Sequence, residues 1–336
     1  MEYRLLGDTG IKVSAISFGA GPVPALMTNG NQIEIQHQTV RQAIEAGINW
    51  FDTAASYVRY AHRRLRLTGD GESEKNLGAT LKELDASGDV HVTTKVRLMP
   101  DQLDNIGENV KTSVMESLER LQLERVTLIQ LHNSVTQNRG DQYTSITPQD
   151  VLGPGGVLEA FELLKSDGLV QHIGLTGLGD TSALVEVIRS GAFETIQVCY
   201  NILNPSAGRA MPEGFDDTDY GNIIAECTNQ RMSVIAIRVF AGGAIAGNPP
   251  SAHTLKTRFF PLSLYERDLE KSTSLMKVIP SEMSLKEAAL RFVLSEPNIS
   301  TALIGFSNPE QIDEAIRYCS AGPLAKQVIE RLNTIA

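Results

Sequence analysis

Asn49-Trp50-Phe51-Asp52-Thr53-Ala54-Ala55-Ser56-Tyr57 is the stretch whose reading decides the fold. The apolar run Ile48 to Phe51 stops at Asp52, and a tyrosine follows five residues later in a turn-like context. A buried strand ending in a carboxylate, followed by a short loop carrying a phenol, suits proton transfer. Taken alone, the same residues read equally well as an edge aspartate capping a turn beside a packed tyrosine. Two further runs, Thr93-Thr94-Lys95 and Ile129-Gln130-Leu131-His132, also finish in a titratable residue. Three consecutive strand ends of this kind predict one shared site.

Working outward, residues 2–15 read as a hairpin with a turn at Gly7-Asp8-Thr9-Gly10. Ile16-Ser17-Phe18-Gly19 reads as the first buried strand, and an alternation then sets in. Helical periodicity at 34–46, 72–84, 104–121, 155–167, 181–190, 219–230, 284–295 and 308–319 alternates with strands at 48–53, 90–95, 126–132, 169–175, 194–199, 233–239 and 300–304. The strands are continuously apolar, as buried parallel strands are. About eight such units, with no linker or shift in composition, predict one closed (β/α)8 barrel. It spans 1–336 as a single domain, in preference to an open sheet plus a second domain, with a β-hairpin in front and a tail helix at 323–335. Such barrels gather their chemistry at the C-terminal rim of the strands, so Asp52, Tyr57, Lys95 and His132 should share one mouth.

Composition narrows the function classes. The net charge of −10 argues against a nucleic-acid partner, which needs a basic face. No run approaches the roughly 20 apolar residues that cross a bilayer, and Met1-Glu2-Tyr3-Arg4 lacks the apolar core of a signal peptide, so a cytoplasmic location is expected. Cys199, Cys227 and Cys319 have no CxxC spacing, and the six histidines show no HxH or HExxH pairing, so no metal site is expected. There is no GxSxG elbow. Gly174, Gly177 and Gly179 are spaced GxxGxG rather than GxGxxG, so they mark tight loops and not a Rossmann fingerprint.

FDTAxxY, a strand ending in lysine and a strand ending in Leu-His together resemble the aldo-keto reductase superfamily. The resemblance runs from the Leu6-Gly7 hairpin through Gly19 and Gly47-Ile48 to Gly305-Phe306-Ser307-Asn308-Pro309-Glu310-Gln311. The opening Phe18-Gly19-Ala20-Gly21-Pro22-Val23 is similar to the aldose 1-dehydrogenase and L-galactose dehydrogenase branch. It implies an NAD(P)(H)-dependent oxidoreductase passing a hydride between nicotinamide and a small carbonyl compound, alcohol or sugar hemiacetal. The implied tetrad is Asp52, Tyr57, Lys95 and His132. The residue types agree with that chemistry: a free phenol titrates near about 10, a neighbouring ammonium favours the phenolate, and a carboxylate holds that ammonium charged. Tyr57 is then the proton donor in reduction and acceptor in oxidation, Lys95 its tuner, Asp52 the partner of Lys95, and neutral His132 the group that orients the carbonyl. Two rival readings are a nucleotide-binding regulatory subunit with the same fold and a barrel hydrolase using Asp52 and His132.

The implied cofactor surface departs from the family pattern in places. Thr176-Gly177 stands where relatives carry Ser-Asn, and Gln197 fits the glutamine that contacts the carboxamide. Ile237 occupies the position of a stacking tyrosine, with Arg238 or Phe240 as replacements for that role, and Arg238 among apolar neighbours is expected to meet an anion. Gly305, Ser307, Gln311 and Glu314 match the stretch that holds the adenosine half, where a helix start also offers free N–H groups. Phe306 and Asn308 stand where NADP-preferring relatives carry a cation, so NADP(H) and NAD(H) both remain open. For the substrate, Met27 and Trp50 are candidate pocket walls, though a tryptophan within a strand is more often core. The segment Val58 to Gly71 supplies Arg59, Arg63, Arg64 and Arg66, either to an anionic substrate or partner or as a solvated insert. A second loop, Gly247 to Tyr265, places Phe259 and Phe260 near the rim.

Overall fold

A computed structural model describes residues 1–57 and 71–333. The chain opens with β1 (Tyr3–Leu5) and β2 (Lys12–Ser14), an antiparallel hairpin in which Tyr3 pairs with Ser14. There follow β3 (Ile16–Gly19), α1 (Ile33–Glu45), β4 (Trp50–Asp52), α2 (Glu72–Glu83), β5 (His91–Val96), α3 (Ile106–Leu121) and β6 (Val126–Leu131). Next come α4 (Pro148–Leu152), α5 (Val157–Ser166), β7 (Val170–Thr176), α6 (Thr181–Arg189), β8 (Thr195–Cys199), α7 (Ile223–Asn229) and β9 (Ser233–Ile237). The chain continues through α8 (Leu262–Leu275), α9 (Leu285–Leu294), β10 (Ile299–Gly305), α10 (Pro309–Ser320) and α11 (Lys326–Asn333). Strands β3 to β10 pair in chain order, all parallel, and β10 closes on β3 through Ala302 opposite Ile16. This is the (β/α)8 barrel that the alternation predicts.

Each barrel strand has an outer face under helices and an inner face filling the barrel. On the outside Phe18 stacks on Phe51 with ring centroids 5.1 Å apart and meets Phe306 at 5.6 Å. On the inside the side chains form layers. Trp50 and Asp52 are two residues apart on β4 and face the same way, offset by about 6.6 Å along the strand. The lower layer is apolar: Trp50 packs with Leu128, Ile235 and, from the hairpin, Leu6 and Val13. The hairpin therefore plugs the N-terminal end of the barrel. The upper layer carries Asp52 and the site.

This layering corrects one expectation, because Trp50 lies beneath the site, wholly buried, and lines no part of the rim. Met27 is also buried, in the turn after β3, where its carbonyl accepts a 2.7 Å hydrogen bond from Asn76. It too lies away from the cleft lining. Arg59 and Arg63, like the rest of 58–70, fall outside the described residues.

Two helices escaped the periodicity. α8 begins at Leu262, inside the stretch read as a loop to Tyr265. Its buried positions are Tyr265, Asp268, Ser272 and Leu275, a helical stripe in which two members are polar. α4 is short and starts with a capping box: Thr147 Oγ1 accepts from Asp150 N at 3.2 Å, and Thr147 N donates back to the Asp150 carboxylate at 2.9 Å. Among the described residues no helix is long and apolar enough to cross a membrane.

Because the indole is the largest fully buried side chain and packs against the hairpin plug, Trp50→Ala should destabilise the protein by about 3–5 kcal/mol. Urea unfolding monitored by far-UV circular dichroism checks this; a loss below about 1 kcal/mol would mean the plug does not seal the barrel.

Candidate active site

Strand ends deliver the four predicted residues to one place. Asp52 ends β4, Lys95 is the penultimate residue of β5, His132 follows β6, and Tyr57 sits in the turn after β4, its N–H bonded to Ala54 O at 3.1 Å. Lys95 is fully buried and its Nζ has three partners: an Asp52 carboxylate oxygen, the Thr53 carbonyl at 2.9 Å and Tyr57 Oη at 3.2 Å. The Tyr57 and His132 rings meet edge to face, centroids 5.7 Å apart, and Ser56 Oγ hydrogen-bonds His132 Nδ1 at 3.3 Å. The tetrad is one contiguous cluster.

A buried carboxylate needs its lone pairs occupied. Asp52 Oδ2 accepts from Thr93 Oγ1 at 2.8 Å, Gln130 Nε2 at 3.0 Å and Gln197 Nε2 at 2.7 Å, while Oδ1 holds Lys95. Burial alone pulls the Lys95 ammonium down, but the Asp52 charge and the contact with Tyr57 outweigh it, so the lysine lies above its ordinary value. His132 goes the other way. Burial, then the positive charges of Arg97 and Lys95, hold it well below the usual histidine value, so at neutral pH it is an uncharged imidazole.

The cluster floors a cleft of about 680 Å³. From Tyr57 and His132 the cleft passes Thr176, Gln197, Ile237, Arg238 and Phe240 and ends at Gly305, Ser307, Gln311 and Glu314. The structure thus brings nearly all the proposed cofactor positions to one trough. Gly177 is the exception, since its N–H is spent on Gln197 O at 2.7 Å and it stands outside the lining. Thr176 donates its hydroxyl to Leu131 O at 3.1 Å. Arg238 has an internal anion: it adopts a left-handed backbone (φ 57°), pairs with Asp268 at 2.8 Å and lies over the Phe260 ring at 4.4 Å. At the far end Ser307 N donates to Gln311 Oε1 at 2.8 Å, and Asn308 caps α10 by accepting from Gln311 N at 3.1 Å. Gly305 is required, because a Cβ there would lie 2.8 Å from the Pro24 ring.

Sequence reading passed over Thr93, Gln130, Ser56 and Arg97. The signal was present: Thr93, Lys95 and Arg97 share the inward face of β5 and its extension, and Gln130 is a lone amide inside Val126-Thr127-Leu128-Ile129-Gln130-Leu131. Among the described residues no group of three His, Cys, Asp or Glu side chains is placed to hold a metal ion.

A closed parallel barrel with a buried Asp-Lys pair touching a tyrosine, and a neutral histidine beside it at the C-terminal mouth, has the layout of a barrel enzyme. The aldo/keto reductase family pattern matches residues 15–336, and the chain belongs to that family. It is 28% identical over 321 residues to L-galactose dehydrogenase of Arabidopsis thaliana, covering 94% of this chain and 87% of the relative. It is 24% identical to D-threo-aldose 1-dehydrogenase of a Pseudomonas species, covering 93% and 91%. Among solved structures, an aldo-keto reductase of Bacillus halodurans in its holo form superposes with a TM-score of 0.73 at 22% identity, covering 100% of this chain and 96% of that one. The protein is an oxidoreductase enzyme of the aldo-keto reductase type.

The neutral histidine has a thermodynamic signature. Its folded pKa lies below the unfolded one, so the unfolded chain binds more protons between the two values and stability falls as pH drops below about 6.5. His132→Asn should flatten this acid limb by up to about 1.4 kcal/mol per pH unit in that window, measured by urea unfolding from pH 7 to pH 5. An unchanged slope would show that His132 takes up protons equally in the folded and unfolded protein and is not held neutral.

Proposed function

We propose that the protein is an NAD(P)(H)-dependent oxidoreductase acting on aldehydes, ketones or sugar hemiacetals, with Tyr57 as the proton donor and acceptor. The observation that carries this reading is the 3.2 Å contact between Tyr57 Oη and a buried Lys95 that is itself paired with Asp52. In reduction a carbonyl oxygen gains negative charge and needs a proton. Tyr57 Oη gives it, and Lys95 Nζ, aimed at Oη, stabilises the charge left on the phenolic oxygen. Asp52 fixes the ammonium, and Thr93, Gln130 and Gln197 fix Asp52. With Ser56 at Nδ1, His132 presents Nε2 to the substrate oxygen and orients it without adding charge. Oxidation of an alcohol or hemiacetal runs the same contacts in reverse, with Tyr57 accepting the proton. A bound nicotinamide would supply or accept the hydride.

The trough supports this cofactor assignment. Gln197 commits its amide nitrogen to Asp52, which leaves its oxygen for a carboxamide, and Ile237 offers an aliphatic face to a ring. At the adenosine end the cation lining the trough is Lys286, held by both oxygens of Glu314 at 2.6 Å, and Arg317 also acts on that carboxylate from α10. A ribose diol can donate to Glu314, whereas a 2′-phosphate meets its negative charge. This favours NAD(H). Titrating the protein with NADH and NADPH should give at least about tenfold tighter binding of NADH, a difference of about 1.4 kcal/mol; equal or reversed affinities would remove the assignment.

One further relative bears on the regulatory reading, a putative voltage-gated potassium channel subunit beta of Schizosaccharomyces pombe, 25% identical and covering 100% of this chain and 93% of the relative. A regulatory subunit keeps its nucleotide and turns over little. Tyr57→Phe separates the two. Turnover of simple aldehydes or aldoses should fall by about 10²–10⁴-fold while dinucleotide affinity stays within about threefold of the parent. A variant as active as the parent would refute the role of Tyr57.

A further inference from the structure

Arg97 is a cation the relay does not use. It continues the inward-facing series Thr93, Lys95 on β5, so its side chain enters the cleft one step above Lys95, about 6.6 Å further toward the mouth. There it is half-buried. Its Nε lies 3.4 Å from the His132 carbonyl, and its guanidinium lies 4.6 Å from the Phe259 ring centroid. Among the described residues no carboxylate stands within ion-pair distance of it, although Arg238, Arg267, Arg120, Arg139, Arg189 and Arg291 each have one. Burial brings it down only to about 10, so it is a full cation at neutral pH. A partly desolvated guanidinium facing a cleft without a counter-ion has five donors, of which one is directed at a carbonyl. His253, on the loop across the cleft, adds no second positive charge there: burial and then Arg97 itself hold its imidazole in the neutral form.

We infer that Arg97 is an anion receptor within the substrate pocket, and that the preferred substrates are short carbonyl compounds or hydroxy compounds carrying a carboxylate or phosphate near the reacting carbon. The inference rests on the reading of Tyr57 and His132 as the groups that hold the reacting oxygen. With the oxygen there, a guanidinium one strand step higher meets an anionic group two to four bonds away. The planar fork of arginine suits either anion through paired hydrogen bonds, and the Phe259 face keeps the fork in one plane. Arg97 is therefore a specificity residue rather than a participant in proton transfer.

Matched pairs test this: succinic semialdehyde against butanal for the carboxylate, and glyceraldehyde 3-phosphate against glyceraldehyde for the phosphate. The parent should show kcat/KM at least tenfold higher for the charged member of one pair, and the pair that shows it identifies the anion. Arg97→Gln should reduce that preference at least tenfold through KM, and Arg97→Lys should retain part of it. Raising the salt concentration should erode the preference in the parent and leave the Arg97→Gln ratio flat. Preferences that are absent in the parent, or equal in parent and Arg97→Gln, would overturn the proposal. If no probe turns over, the proton-relay reading fails, and calorimetric binding of succinate and inorganic phosphate to the dinucleotide-loaded protein still decides the role of Arg97. Binding that is lost in Arg97→Gln supports it, and binding that is absent or unaltered rejects it.

Discussion

Everything at the barrel mouth depends on the pairing of Lys95 with Asp52, both buried. An ammonium taken out of solvent reverts to the neutral amine unless an opposite charge and hydrogen bonds compensate the lost hydration. Here Asp52 supplies the charge, the Thr53 carbonyl a second acceptor and Tyr57 Oη a third. Asp52 in turn accepts hydrogen bonds from β5, β6 and β8, through Thr93, Gln130 and Gln197. The barrel is what makes this cheap. Closing the sheet brings side chains from distant parts of the sequence onto one inner layer, 145 positions apart for Asp52 and Gln197. The layer beneath, Trp50 with the hairpin leucine and valine, keeps water from reaching the carboxylate from below.

Position sets the two basic groups at the site in opposite states. Lys95 is kept positive by an anion in contact. His132, buried beside two cations, is kept neutral. In the proposed mechanism a charged imidazole would compete with Tyr57 as the proton source, whereas a neutral one is confined to orienting an oxygen. Arg97 adds positive potential on the open side of the cleft, where it reinforces that neutrality.

Much of this was legible in the chain because the responsible residues interrupt apolar runs. Asp52, Lys95 and His132 each end a stretch of strand, and barrel topology then fixes which way they point. What stayed hidden was depth and partnership. Trp50 shares its face with Asp52, so local sequence placed it correctly on the inside but not one layer down. Arg238 reads as an arginine awaiting an anion because Asp268 lies 30 residues away on α8, a helix whose buried stripe is half polar and so carries no apolar period. Thr93 and Gln130 contribute through geometry that only the closed sheet provides. Gly177 sits at the right sequence position for a cofactor contact, but its N–H closes the backbone between β7 and β8.

The ionisation of Lys95 tests the account most directly. In protein labelled with carbon-13 at lysine Cε, the Lys95 resonance should stay at its protonated position to a pH above the ordinary lysine value near 10.5, and Asp52→Asn should let it titrate below that value because burial then acts unopposed. A Lys95 that loses its proton below the ordinary value in the parent protein, or that titrates identically in both, would contradict it.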